Sequence, residues 1–426
     1  MIYIPFFYFL GLFAYMRYKQ GRITAGSVIL LVYLLSSFFS IVYINLGIQN
    51  RFDETDLNNL RPTIVYLFLI TSVIVPIYGF KDNQIQKVIL PKNKEDIYVL
   101  ISWTLIAFTV ISIVLSASSF LGLLGKDLGA VRQEFYDDVT SISYTRSSQS
   151  IFYYIINMGT ILSPILLLFF FYGCIYMPWK KGLNISLLIA SLSNVLFSLL
   201  QASRTETVYW LLTYFVYYAT FHSQMNARMQ RIFRTTMIII GAVAVSYIVF
   251  VAVSRFGSTK SYNNWSTGYS FIVYMGLPYP EFCTLFNMYF SHEPTFDRTF
   301  PIFTKYILGN NFNLYEYRIF MSNSIGMPIG TFYTFLGDAM VDFGKLGMCI
   351  YTAIIVLFEK IALRRLYSAS VTLSQMIVYA LVIRVPLLGV FAYVYKSVST
   401  SLLIVGALLI AIILSDRFSI IKRNKM

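Results

Sequence analysis

Eleven runs of about 20 apolar residues, the length a helix needs to cross a bilayer, divide this chain almost end to end. They begin near Ile2, Ala25, Pro62, Ile97, Ile151, Leu183, Glu206, Thr235, Phe343, Val371 and Val398. Of the 426 residues, 57% are hydrophobic and only 12% are charged, a balance foreign to a soluble domain of this size. The ten-residue alternation of an outer-membrane barrel is absent. The expected fold class is an all-α polytopic membrane protein, a single integral membrane domain over 1–426 with about 11 transmembrane helices.

Charge sets the expected orientation. The formal net charge is +14, but the basic residues are scattered through the connections rather than gathered with interleaved aromatics, so they report topology and not a nucleic-acid partner. Ile2 to Met16 has no basic leader and is followed by Arg17, Lys19 and Arg22, which suits a first span with its N-terminus outside. Lys180 and Lys181, then Arg228, Arg231 and Arg234, then Lys360, Arg364 and Arg365 fall on the same inner side, as does the basic C-terminus. Cys174, Cys283 and Cys349 are the only cysteines, and they suggest neither a disulfide framework nor a four-ligand metal site. No cofactor is expected.

Two connections face the outside in this topology. One, over about 254–330, is far longer than connections usually are and is rich in aromatics, Tyr274 and Tyr279 among them. Its composition suits a partly helical lid at headgroup depth or a surface that stacks on sugar faces. The smaller one, about 125–150, contains LGAVRQEFY, which reads as a short amphipathic helix. No internal repeat is visible, which weakens a transporter built from related halves.

Five arginines lie on, or can face, the outer half of the membrane, where positive charge is disfavoured: Arg132, Arg204, Arg255, Arg318 and Arg384. Snorkelling to lipid phosphate or a local ion pair is the plain explanation for any one of them. Arg384 resists it, because a guanidinium in mid-span costs roughly 2.5–3.5 kcal/mol on insertion scales and its donors need a partner inside the protein. Arg204 sits in the tight turn SRTE between two runs. Arginine's planar fork binds diphosphate bidentately and stays charged when desolvated, so a cluster of two or three would cradle a departing pyrophosphate without metal. No phosphate-binding glycine loop, HExxH helix, DxD pair or GxSxG elbow offers a different chemistry.

Carboxylates supply the other candidates. In GTFYTFLGDAMVDFGKLG, Asp338 and Asp342 are four apart and share one helix face, where they would either raise the proton affinity of one or hold arginines in place. Asp342, Glu281 and His292 are the candidate general bases for a sugar hydroxyl. A loop histidine such as His292 is also a common structural residue, and His222 reads as an inner surface residue.

The order of these motifs resembles the Wzy-type polymerases of O-antigen and capsule assembly: LGAVRQEFY around Arg132, the ASRTE turn around Arg204, TFLGDAMVDFGKLG, and an arginine in the penultimate span at Arg384. The resemblance implies a fold like the lipid-dependent glycosyltransferases of the GT-C type. It also implies residence in a bacterial plasma membrane, and transfer of a glycan from undecaprenyl pyrophosphate to a hydroxyl of another lipid-linked repeat unit. Arg204, Arg384, Arg132, Asp342, His292 and Glu281 are then the expected catalytic set. Arg255, Arg318, Asp338 and Tyr279 would join the two central arginines in binding pyrophosphate and glycan, with a chain-length regulator as a further partner. The histidine loop of the related ligases is matched only by HEPTF around His292. The alternatives are a flippase for lipid-linked oligosaccharides and an O-antigen ligase.

Overall fold

The computed structural model describes residues 1–47, 54–79, 85–123, 151–200, 203–257, 267–288, 295–309, 321–325, 333–364, 366 and 369–415. Each expected apolar run lies on a helix or on consecutive short helices, from Tyr3–Gln20 and Ala25–Asn45 to Leu373–Leu388 and Val398–Ile413. Among the described residues, five helical segments are long and apolar enough to cross a membrane: Ala25–Asn45, Leu60–Ile77, Lys92–Leu115, Lys181–Leu199 and Thr334–Arg364. Their outward faces are apolar, as lipid contact requires; Leu346, Leu357 and Phe358 are among the exposed side chains. Polar caps define several starts. Thr24 with Ser27, Thr372 with Gln375 and Ser397 with Thr400 form reciprocal capping boxes that satisfy otherwise orphaned N–H groups.

The tenth run starts differently from expectation. Ser370–Thr372 is a short strand paired in parallel with Lys87–Ile89, with Val88 opposite Val371, and the helix begins only at Leu373. The β-branched residues of both segments favour this pairing over a first helical turn.

The long connection between the eighth and ninth runs packs into the bundle. Its helices Thr267–Gly276 and Pro278–Asn287 pack against the Ala25–Asn45 helix, where Ser36 Oγ donates to Met275 O at 2.8 Å and Ser40 Oγ to Gly276 O at 2.7 Å. Small residues make this approach possible: a Cβ on Gly276 would come within 2.4 Å of Phe39 O. Tyr279 is buried in this packing and shares a 2.7 Å hydrogen bond with Thr63. Its ring therefore braces the core, and the expectation that it contacts glycan is corrected.

Thr334–Arg364 is two helices joined at Gly344, whose φ of 70° and ψ of −174° only glycine adopts without strain. The break separates an inward half bearing Asp338 and Asp342, both fully buried, from a lipid-facing half. At the first residue of this element, Thr334 holds a φ of 67°, unusual for a β-branched residue. Its N–H donates to Phe391 O at 3.3 Å while Phe335 N–H donates to Gly389 O at 2.8 Å. These bonds fasten the buried, irregular segment that follows the Leu373–Leu388 helix, a backbone form tolerated at membrane depth only inside protein.

Candidate functional site

Arg204 is the residue that precedes the first turn of the Thr205–Phe221 helix, and Glu206 lies within that turn. The Arg204 side chain is folded inward, only 7% exposed, with its guanidinium 4.5 Å over the ring of Tyr274 from the long outer connection. Stacking of this kind orients the guanidinium plane while leaving its N–H edge available for hydrogen bonds. Arg204, Thr205, Val208, Tyr209, Phe271, Tyr274, Met275 and Phe391 line an open, mainly apolar cleft with a cavity volume of about 60 Å³.

Arg384 is two residues before Pro386 in the Leu373–Leu388 helix and is 5% exposed. It faces a second, small cavity of about 10 Å³, room for about one water molecule, walled by Ser163, Pro164, Leu167, Asn194, Glu206, Tyr209, Trp210 and Thr213. Tyr209 lines both cavities. The Arg384 charge acts on Glu206 and on the hydroxyls of Tyr209, Tyr217 and Tyr395. Among the described residues Arg384 Nε has no hydrogen-bond partner, and Glu206 accepts one long bond, from Asn194 at 3.5 Å, with no ion pair. A buried guanidinium is stable only when its donors are met, so this cavity is arranged to receive an acceptor-rich group.

Asp338 and Asp342 lie nearby in a cluster of the opposite character. The segment 295–300 of the outer connection crosses their helix face. Thr295 Oγ1 donates to Asp342 Oδ1 at 3.0 Å, and Thr299 N–H and Oγ1 each donate to Oδ2 at 2.8 Å, with Arg298 N–H contributing to both oxygens. The Arg298 guanidinium forms a buried ion pair with Asp338 Oδ1. The second oxygen of Asp338 accepts from Tyr393 N–H at 2.7 Å and from Lys396 Nζ at 3.4 Å. Of the two roles expected for these carboxylates, the geometry supports holding an arginine in place, and the arginine is Arg298. Asp342 accepts donors at both oxygens and lines neither cavity, an arrangement that suits anchoring the outer segment better than proton transfer.

Asp338 nevertheless bears on the site. The segment it grips through Tyr393 and Lys396 also carries Phe391, which lines the Arg204 cleft, and Tyr395, which stands beside Arg384 and donates to Leu381 O at 2.6 Å. Glu281 is buried on the Pro278–Asn287 helix and lines neither cavity. Arg255 lies in the last turns of the Ala227–Gly257 helix. Arg132, His292 and Arg318 lie outside the described residues.

From the expected set, the structure places Arg204 and Arg384 in two separate cavities that share Tyr209, and not in one common cradle. It adds Glu206, Tyr209 and Asn194 to the site and Arg298 and Lys396 to its support. Glu206 carried a signal in the sequence, an acid at the mouth of an apolar run two residues after an arginine. Arg298 carried none, since one arginine in a long polar connection is unremarked until its partner is known. Among the described residues no group of three His, Cys, Asp or Glu side chains is placed to hold a metal ion. Compared with known protein families, with curated proteins and with solved structures, the chain finds no match.

Proposed function

We propose that this protein is a glycosyltransferase of a bacterial plasma membrane that polymerises lipid-linked oligosaccharide repeat units. The chain crosses the membrane eleven times in this reading, with its N-terminus outside and its site in the outer half. The growing glycan leaves undecaprenyl pyrophosphate and is joined to a sugar hydroxyl of a second lipid-linked unit. Pyrophosphate is already a good leaving group, so the protein's work is to position two large substrates and to neutralise the charge that develops on departure.

The observation that best supports this reading is that two buried arginines, Arg204 and Arg384, line two cavities that have Tyr209 in common. The Arg204 cleft is apolar along most of its wall, which suits a lipid chain beside a charged head. The Arg384 cavity is smaller and more polar, and it would have to open to admit a diphosphate or a sugar. A guanidinium has a reason to be held in apolar surroundings when a diphosphate supplies its acceptors, and bidentate geometry favours arginine over lysine.

The test is chain extension by the purified protein in lipid nanodiscs, supplied with lipid-linked repeat units. Arg384→Ala and Arg204→Ala should each abolish polymer while the protein still inserts and accumulates. Polymer of wild-type length from both variants would overturn the assignment. Transfer of finished polymer to a different acceptor, with single units left unjoined, would identify a ligase, and movement of intact lipid-linked units across the bilayer without transfer would identify a flippase.

A further inference from the structure

Proton transfer has to be assigned to some group if a hydroxyl is to attack, and the expected bases do not line either cavity: Asp342 anchors the outer segment and Glu281 lies elsewhere. The carboxylate that does face the arginine site is Glu206. It lines the smaller cavity together with Arg384, Asn194, Tyr209, Trp210 and Thr213. Acid and guanidinium stand beyond ion-pair distance, and their shared cavity has room for about one water molecule, so a sugar hydroxyl reaches Glu206 only when the cavity opens. Asn194 Nδ2 reaches Glu206 Oε2 at 3.5 Å, which leaves the other oxygen of the carboxylate unengaged among the described residues.

We infer that Glu206 is the proton acceptor for the attacking sugar hydroxyl, and that the cavity it shares with Arg384 opens to seat the reacting centre. This rests on the glycosyl-transfer reading given above. The acceptor O–H gives its proton to the Glu206 carboxylate as its oxygen lone pair forms the bond to the donor's anomeric carbon. The bond from that carbon to the pyrophosphate oxygen breaks, its electron pair stays on the diphosphate, and the new negative charge develops against Arg384. Glu206 afterwards returns its proton to solvent, so each turn releases one lipid diphosphate and one proton. General-base assistance of this kind contributes roughly 10²–10⁴-fold to a rate.

The experiment uses the full-length protein in nanodiscs and reads turnover and binding separately, with undecaprenyl pyrophosphate itself as the binding probe in native mass spectrometry. Glu206→Gln keeps the shape and removes the base, so turnover should fall at least about 100-fold while the probe is retained as in the wild type. Glu206→Asp, which restores a carboxylate one methylene further back, should recover part of kcat with KM little changed. The acidic limb of the wild-type kcat profile should be absent from the residual activity of Glu206→Gln. If Glu206→Gln turns over normally and keeps that limb while Arg384→Ala is inactive, the role of Glu206 is wrong and the polymerase reading survives. If both variants turn over normally, the polymerase reading fails with it. Should Glu206→Gln not accumulate, Glu206→Asp decides alone: an unchanged kcat and pH profile overturn the inference.

Discussion

Two buried charged clusters lie within the same bundle, and they are built on opposite principles. Around Asp338 and Asp342 all four carboxylate oxygens accept hydrogen bonds, from Arg298, Lys396, Thr295, Thr299 and the backbone of Tyr393. Around Arg384 and Glu206 the charges share a cavity, and the carboxylate accepts a single long bond among the described residues. The difference lies in the carboxylates: desolvated charges are tolerated when their lone pairs are engaged, and that engagement fixes the chain. A cluster left open stores the same desolvation cost until a ligand arrives. The closed cluster is therefore read as architecture and the open one as the site, although both are made of the same residue types.

The comparison can be broken most directly at Asp338. Asp338→Ala leaves the buried Arg298 guanidinium without its carboxylate, and loss of one partner of a buried pair costs about 3–5 kcal/mol. The expected outcome is a large drop in thermal unfolding temperature in detergent, together with loss of activity because Phe391 and Tyr395 lose their support. A variant with wild-type stability would show that the two clusters do not differ in the way argued.

Arg384→Ala should do the reverse. Removing a group that stabilises developing charge costs about 2.7–4 kcal/mol of transition-state stabilisation, or 10²–10³ in kcat, while thermal stability should hold or rise because an incompletely partnered buried charge is gone. Measuring unfolding and turnover on the same preparations separates the two residues; a parallel loss of both quantities in both variants would erase the distinction.

Smaller effects sharpen it. Gly344→Ala forces a side chain into a glycine-only conformation and should cost about 1–3 kcal/mol of stability, seen as a lower unfolding temperature, because the bend sets the inward half apart from the lipid-facing half. At Asp297, in the outer segment that docks on the closed cluster, burial raises the carboxyl's proton affinity against the opposing pull of a Thr304 hydrogen bond and of Arg298. A folded-state pKa raised in this way means its stabilising contribution is present below the ordinary carboxylate range and is lost as pH rises through the folded value. Asp297→Asn should therefore flatten that fall and leave the protein slightly more heat-stable than wild type at neutral pH. Unfolding curves taken across the acid range would reveal an unaltered pH dependence if the burial argument is mistaken.

Much of the fold was legible from apolar run length, because a helix is closed by bonds from each residue to its fourth neighbour and a span needs only enough apolar residues in a row. The capping pairs at Thr372 and Gln375 are local in the same sense. The arginine signal was legible as well, since a charge in mid-run at Arg384 or in a tight turn at Arg204 is anomalous wherever it occurs. What ran the other way was the long outer connection. Its aromatics suit an interfacial lid, yet Ser36, Ser40 and Gly276 let its helices approach the bundle closely and buried Tyr279 against Thr63.

By itself, then, the chain of residues determined a helical, membrane-embedded protein with an arginine in the middle of an apolar run. Only the tertiary structure decided that Arg298 closes on Asp338, that Asp342 holds the segment 295–300, and that Glu206 and Arg384 line one cavity. Such pairings join residues far apart in the chain. They arise where helices happen to cross, and neither hydrophobic period nor charge spacing along one segment carries information about which distant segment will lie against it.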